Sequence, residues 1–394
     1  MSSYTGPRLR FGTFLSPYHR VGTNPTLAFE RNLQLITYLE EFGYDEAWIG
    51  EHHSGGLSLN ASPEVFIAAA AERTSRIRLG TGVASLPYHN PFHTAARIRQ
   101  LDHMTRGRTM LGVGPGQLVK DAEMIGIDSS LLRVRMEEAL NVILPLLRGE
   151  TVTAKTDWFE LRDAVLQLPA YSDVEVAVTA VVSPAGPRLA GRNGISLLSV
   201  AATNPQGIEK LAEHWEIVQA EAATFGQNVS KATWRLMGPM HVADSVEQAA
   251  KDMEYGLHAI FSYFNKVTPG QPAFDTTREF VDFINDSGYG VIGTPEMARQ
   301  QLLRLTEKSG GFGTYLFMGA DFADPVATRR SYQIFAEEVM PEFQGQSQAS
   351  ERSWAELVGS DFRTAKATGA AQAAAAERYR NERASREAAA SAPV

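Results

Sequence analysis

Residues 43–56 read GYDEAWIGEHHSGG. An apolar run, Ala47, Trp48, Ile49 and Gly50, stops at an acid, two adjacent histidines and, one residue on, two glycines. A short apolar run without polar alternation marks a strand buried on both faces, the kind found in parallel sheets. Its abrupt end puts Glu51, His52 and His53 where the strand leaves the core.

Seven further runs follow the same rule, over residues 9–15, 77–84, 109–113, 174–182, 195–201, 235–242 and 313–318. Helical patterns alternate with them. Asn24 and Pro25 open one with an apolar face of Leu27, Leu33, Ile36, Leu39 and Phe42, ended by Gly43. Ser62, Pro63 and Glu64 open a second, with Ser62 as its cap, and Pro91 a third. Helical stretches also cover 120–147 and 325–340, and 151–161 reads as a small hairpin. Eight strands alternating with helices predict an α/β fold, a (β/α)8 TIM barrel rather than an open doubly wound sheet. Residues 263–289, rich in aromatics, Gly and Pro, predict a lid over the barrel mouth, inserted after strand seven. The barrel domain is expected over 1–343 and an alanine-rich, charged tail, helical or flexible, over 344–394. Across 351–394, seven Lys/Arg against six Asp/Glu leave a charge of +1. That suits a solvated helix or an arm on a partner subunit better than chemistry.

With 394 residues, 44% of them hydrophobic, the chain can bury a large core without staples. It has no cysteine, which excludes disulfides, thiolate metal sites, iron–sulfur clusters and a cysteine nucleophile. The formal net charge of -8 speaks against nucleic acid as a partner. There is no signal-like apolar core at the N-terminus and no run near the roughly 18 residues of a membrane span. A cytoplasmic protein with no nucleic-acid or membrane partner is the expectation.

In such a barrel, functional groups sit at the C-terminal strand ends. Glu51, His52 and His53 follow strand two, and Leu86, Pro87, Tyr88 and His89 follow strand three. Gly114, Pro115, Gly116 and Gln117 follow strand four, and Ser183, Pro184, Ala185 and Gly186 strand five. The adjacent histidines lack the i, i+4 spacing of a zinc helix, and no cysteine helps them. A metal is the least favoured reading; ahead of it stand a histidine satisfied by Glu51 and, foremost, a proton-handling histidine beside a bound cofactor. Ser183 is placed to cap a helix begun by Pro184, with Gly186 leaving the third amide open. That is either an ordinary capped helix or a phosphate cradle. GVGPG, residues 112–116, fails as a dinucleotide fingerprint, because the third glycine of G-x-G-x-x-G would fall on Gln117. It is either a tight turn or a strand end where a planar ligand approaches the backbone.

Taken together, five stretches resemble the bacterial luciferase-like family of flavin-dependent monooxygenases over about residues 8–343. They are RFGTFL, GYDEAWIGEHH, LPYHNPFHTAARIRQLDHMTRGR leading into MLGVGPG, SPAGPRLAGRNG, and IGTPEMARQQLL. Within the family, EHHSGG and GVGPG are most similar to the limonene monooxygenase type. The resemblance implies a flavin lying across the barrel mouth. His52 matches the family's catalytic histidine, with Glu51 and His53 beside it. Gly82, Val83 and Ala84 match the strand-three backbone under the ring, where relatives often have a non-prolyl cis peptide. Gly114, Pro115, Gly116 and Gln117, then Val181, Val182, Ser183, Ala185 and Gly186, are the further implied cofactor contacts, with Ser183 and Gly186 at the phosphate. The chain departs at Pro115, where luciferases carry a phosphate-holding arginine. Arg188, Lys120 or backbone amides are left to take that part.

The implied reaction uses reduced flavin and O2, through a C4a-peroxyflavin, to oxygenate a small apolar substrate such as the terpene limonene. Reduced FMN is the leading cofactor, ahead of FAD and the deazaflavin F420. Phe14, Tyr18, Tyr88, Phe92, Phe261 and Phe264 are expected to wall the substrate pocket, although each could be core packing. The implied partners are the substrate, O2, a separate NAD(P)H-dependent flavin reductase and further copies of the chain, as a homodimer or higher homo-oligomer. Two alternatives share the fold: an F420-dependent dehydrogenase, which moves a hydride without O2, and a catalytically silent flavin-binding protein.

Overall fold

Eight apolar segments pair side by side in parallel: β1 (Arg10–Leu15), β2 (Glu46–Ile49), β3 (Arg78–Ser85), β4 (Thr109–Gly114), β5 (Glu175–Ala180), β6 (Ser196–Ser199), β7 (Arg235–Gly238) and β8 (Thr314–Gly319). Each lies beside its neighbours in chain order, and β8 pairs with β1 to close a barrel. The helices that cover it are α1 (Pro25–Glu41), α2 (Pro63–Ala71), α3 (Pro91–Thr105), α4 (Leu132–Leu147), α5 (Ala185–Asn193), α6 (Leu211–Phe225), α7 (Pro295–Ser309) and α8 (Pro325–Glu338). This computed structural model describes residues 4–16, 18–267, 273–359 and 363–391. The chain divides into two units, Gly6–Gln344 and a second made of Met1–Thr5 with Gly345–Val394.

Local signals explain the starts of the helices. Proline opens α1, α2, α3, α7 and α8, where a missing N–H costs nothing. The Asn24, Asn90, Thr294 and Asp324 side chains accept first-turn amides. Ser62 does not, because its hydroxyl donates to Glu64 at 3.1 Å instead. The buried face of α1 is Ala28, Asn32, Ile36 and Leu39, so Leu27 falls outside the expected stripe and is exposed.

The barrel interior is built around Trp48. It packs with Met110, Ala177, Leu198, Met237 and Leu316. Its ring occupies space that neighbouring strands leave free. An added Cβ at Gly80 would lie 2.7 Å from the ring, and one at Gly112 2.2 Å from Thr81 O and 3.0 Å from the ring. Such an approach requires glycine at both places.

The N-terminal end of the barrel is closed by charge. Arg235, fully buried, donates to Glu46 at 2.7 and 3.0 Å and to Glu175 at 2.6 Å, and its guanidinium lies 4.7 Å from the Trp48 ring centroid. Arg78 adds a bond to Glu175 at 2.7 Å. Buried charges survive only when paired and hydrogen-bonded, which these are. Burial pushes the Glu175 carboxyl up, but the two arginines outweigh it and hold it at about 2. Burial pushes Glu46 up as well, but Arg235 and then Arg10 outweigh it and hold the carboxyl below its ordinary range.

Strand seven is shorter than the sequence pattern. β7 ends at Gly238, and Met240–Val242 leaves the barrel to pair in parallel with Val291–Gly293. Pro239 between them has no N–H for a ladder, while its carbonyl accepts the Val291 amide at 3.1 Å. The expected hairpin forms from Val152–Lys155 and Glu160–Ala164. The segment over 263–289 is largely helical, entering on Leu257–Val267 and continuing on Thr277–Ser287. Its residues 268–272 lie outside the described residues. The second unit carries the helices Gln348–Gly359 and Arg363–Ala390, which bury no residue.

Candidate functional site at the barrel mouth

The turn after β2 is clamped by Asn60. Its side chain donates to Gly50 O at 2.7 Å, and its carbonyl accepts the His52 amide at 3.1 Å. That holds Glu51, His52 and His53 on the rim, with Glu51 buried and both histidines half-buried.

Two carboxylate–histidine groups result. Glu51 accepts His53 Nε2 at 3.0 Å, His89 Nε2 at 2.7 Å and the Ser85 amide at 2.7 Å. Burial raises its carboxyl, but the bonds from His53 and His89 outweigh this and keep it ionised. The Glu51 bond in turn raises His53. In the second group, Asp121 accepts His52 Nδ1 at 3.3 Å and the Ser54 hydroxyl at 2.5 Å. Burial raises Asp121, and the bonds from His52, Ser54 and the His53 amide bring it below the usual carboxylate range.

On its other side, His52 Nε2 lies 3.2 Å from the Tyr18 hydroxyl, and the two rings stack. Burial, with Tyr263 and Asp121, pushes the Tyr18 phenol far up, so it keeps its proton. In the neutral Nδ1–H tautomer, His52 donates to the ionised Asp121 and its Nε2 accepts from the Tyr18 hydroxyl. Ser54, Asp121, His52 and Tyr18 form one hydrogen-bonded line across the rim.

The structure brings some expected residues together and separates others. Tyr88 meets the edge of His53, while its hydroxyl is buried without a partner among the described residues, as is that of Tyr263. Tyr18 and Phe264 pack edge to face. Phe14 and Val83 line the barrel interior against the Trp48 cluster. Phe261 is 2% exposed among Phe264, Phe280, Tyr289 and Phe322. It is a core residue, because the helix carrying it turns it inward away from any open wall. Phe92 sits in the first turn of α3 against His93.

The stretch meant for a flavin has definite local features. The Gly82–Val83 peptide is cis, and the β3–β4 register shifts between Thr81 and Ala84. A Cβ at Gly114 would lie 2.7 Å from Val83 Cγ2. Pro115 and Gly116 are half-buried and Gln117 exposed. After β5, Val181 and Ser183 are exposed, while the Val182 carbonyl accepts His214 Nε2 at 3.1 Å.

Two expectations about α5 are corrected here. Its N-cap is Pro184, not Ser183, and no side chain caps it. The chain is already helical at Pro184 (φ -70°, ψ -5°), which leaves Ser183 one residue too early. Gly186 is glycine for packing, since a Cβ there would meet Thr179 O at 2.3 Å. The uncapped first-turn amides, with no acid among them, nevertheless fit a phosphate. The orphaned Tyr88 hydroxyl fits a polar atom of a ligand at the rim. Of the two cations considered as substitutes for an arginine at position 115, Arg188 pairs with Glu221 at 3.1 Å and Lys120 with Glu123 at 3.2 Å.

Asp121 and Ser54 were not among the expected site residues. Asp121 lies in the short helix Val119–Met124, where Lys120, Asp121 and Glu123 read as a solvated charged face. The available signal was position: an acid seven residues beyond the β4 strand end, hence near the rim.

Comparison with known proteins agrees with this architecture. The luciferase-like monooxygenase family matches residues 9–311. Limonene 1,2-monooxygenase of Rhodococcus erythropolis is 50% identical over 379 residues, 96% of this chain and 98% of that one. The 4-hydroxyprotoasukamycin monooxygenase of Streptomyces nodosus subsp. asukaensis is 44% identical over 345 residues, 86% of this chain and 93% of its own. Among solved structures, the oxygenating constituent of 3,6-diketocamphane monooxygenase from Pseudomonas putida, a type II Baeyer–Villiger monooxygenase in complex with FMN, superposes with a TM-score of 0.71. It shares 22% identity, with 85% of this chain and 98% of that chain covered, so the likeness is one of fold. With its closed parallel barrel and these relatives, the chain belongs to the luciferase-like monooxygenase family.

Proposed function

We propose that the chain is a flavin-dependent monooxygenase that uses reduced flavin and O2 to place one oxygen atom on a small apolar substrate of the terpene class. The observation that carries this reading is His52, held between Asp121 and Tyr18 at the barrel mouth. The chemistry a bound reduced flavin supplies is the two-electron reduction of O2, one oxygen atom going to substrate and the other to water. FMN is the favoured form, because a relative of the same fold was solved with it.

Within this reading the chain's residues have distinct tasks. The backbone of residues 82–84 supports the planar ring. Residues 181–183 and the first amides of α5 hold the phosphate, in place of a cation at Pro115. His52 takes or gives a proton at Nε2, with Asp121 fixing its tautomer and the Tyr18 hydroxyl holding the ring in place. Glu51 orients His53 and His89 around the same opening. Phe14, Tyr18, Val83 and Phe264 exclude water, and the helices Leu257–Val267 and Thr277–Ser287 serve as the lid. A separate cytoplasmic NAD(P)H-dependent reductase supplies reduced flavin, and the chain works as a homo-oligomer.

The test is oxygen incorporation. With reduced FMN, ¹⁸O₂ and a cyclic terpene such as limonene, the product should carry one labelled oxygen. Anaerobic turnover of an alcohol with F420, and no labelled product, would replace this reading with a dehydrogenase.

A further inference from the structure

We propose that the chain carries a second small-molecule site, between α1 and α8, built for an amphipathic monocarboxylate. A cavity of about 480 Å³ opens there, within the size range of ligand pockets. Leu15, Leu35, Met253 and Phe322 supply apolar wall.

Its charge is one-sided. Arg31, Arg329 and Arg330 line it against a single carboxylate, Asp321. Asp321 is taken by His19 at 3.1 Å, and the other ring nitrogen of His19 by Asn32 at 3.1 Å. Arg330 lies 3.6 Å from Asp244, and the Arg329 guanidinium 4.3 Å from the Tyr38 ring centroid. Arg31 differs: its Nη2 is buried with no acceptor among the described residues. A buried charged donor without an acceptor is costly, so a ligand oxygen there gains more than one at a solvated arginine. The planar guanidinium fork matches a carboxylate through two parallel bonds. One unpartnered guanidinium nitrogen beside apolar walls suits a single anionic head on an apolar body.

The cavity reaches the ends of β1 and β8 at Leu15 and Gly319, but the rim residues Glu51, His52, His53 and Asp121 do not line it. Tyr18 is common to both. Its side chain lines the cavity and its hydroxyl reaches His52.

Decanoate and 1-decanol are the probes, titrated calorimetrically into the full-length chain. Decanoate should bind at least ~10-fold more tightly than the alcohol. Arg31→Gln should erase that preference while leaving decanol binding and the melting temperature unchanged. Val326, 80% exposed where it lines the cavity, offers a second variant that leaves the core intact. Val326→Trp should weaken both probes together by narrowing the entrance. Equal binding of acid and alcohol, an acid preference that survives Arg31→Gln, or no binding of either probe overturns the proposal. None of these outcomes depends on oxygenase activity.

Discussion

Asp121 Oδ2 lies 3.3 Å from His52 Nδ1, although 69 residues separate them in the chain. The contact fixes the ring so that Nε2 faces the Tyr18 hydroxyl. Asp121→Asn keeps the shape and removes the charge. Oxygen transfer should fall by about 10- to 100-fold, within the usual range for disturbed proton transfer. Flavin affinity should stay level. Steady-state kinetics beside a flavin titration separate the two effects, and a parallel loss of affinity would make Asp121 a structural residue.

His52 itself should matter more. We expect His52→Asn to fold and bind flavin normally but lose about two orders of magnitude or more in product formation. Product yield per reduced flavin measures this directly. Turnover at the unmutated rate would remove His52 from the chemistry.

The first turn of α5 can be tested through the ligand. Each charge-assisted amide bond to a phosphate contributes roughly 1 kcal/mol or somewhat more. Riboflavin, which lacks the phosphate, should therefore bind at least ~10-fold more weakly than FMN. Gly186 is the wrong place for a mutation, because any side chain there meets Thr179 O. Ala185→Asp puts a carboxylate in the same turn without that clash and should weaken FMN more than riboflavin. Equal losses for both flavins would move the phosphate elsewhere.

Acid should unfold the barrel from its N-terminal end. The folded-state Glu175 carboxyl sits at about 2, against 4.5 as the ordinary value. A carboxyl lowered by folding stabilises above its unfolded pKa, and that stability is lost as pH falls through the folded value. Melting temperature should therefore fall between about pH 4.5 and pH 2. Glu46→Gln, which leaves Arg235 under-neutralised, should cost about 3–5 kcal/mol at neutral pH. Chemical denaturation at pH 7 and thermal melts across the acid range check both numbers. A loss near zero at pH 7 would mean that Glu175 alone suffices for Arg235.

The barrel was legible because strands buried on both faces announce themselves as apolar runs, and prolines mark the helix starts beside them. Glu51, His52 and His53 were legible because polar residues at the end of such a run have few other places to be. Asp121 was not, since nothing in Lys120, Asp121, Ala122 and Glu123 distinguishes a rim carboxylate from a solvated one. Only the folded path of the chain brings it to His52. Ser183 misled because Ser-Pro is a frequent helix opening, whereas here the helix begins one residue later. Phe261 misled because an aromatic near a mouth and an aromatic in a core look alike in sequence. The Arg235 cluster went unread for another reason: charged residues that start strands normally point to water.

That cluster also limits how the gene could be cut and rejoined. Glu46 belongs to the first half of the barrel, whereas Glu175 and Arg235 belong to the second. A first half grafted onto a foreign second half would leave Glu46 with Arg10 at 3.4 Å and Arg78 at 4.0 Å but without the two short bonds from Arg235. The reverse graft would still supply Glu175 to Arg235 but forfeit the two bonds to Glu46. Chimaeras with related barrels should then divide into two groups. Those whose new partner carries an arginine at the start of strand seven would express as folded protein. Those without one would melt at lower temperature, whatever the quality of the graft at the mouth.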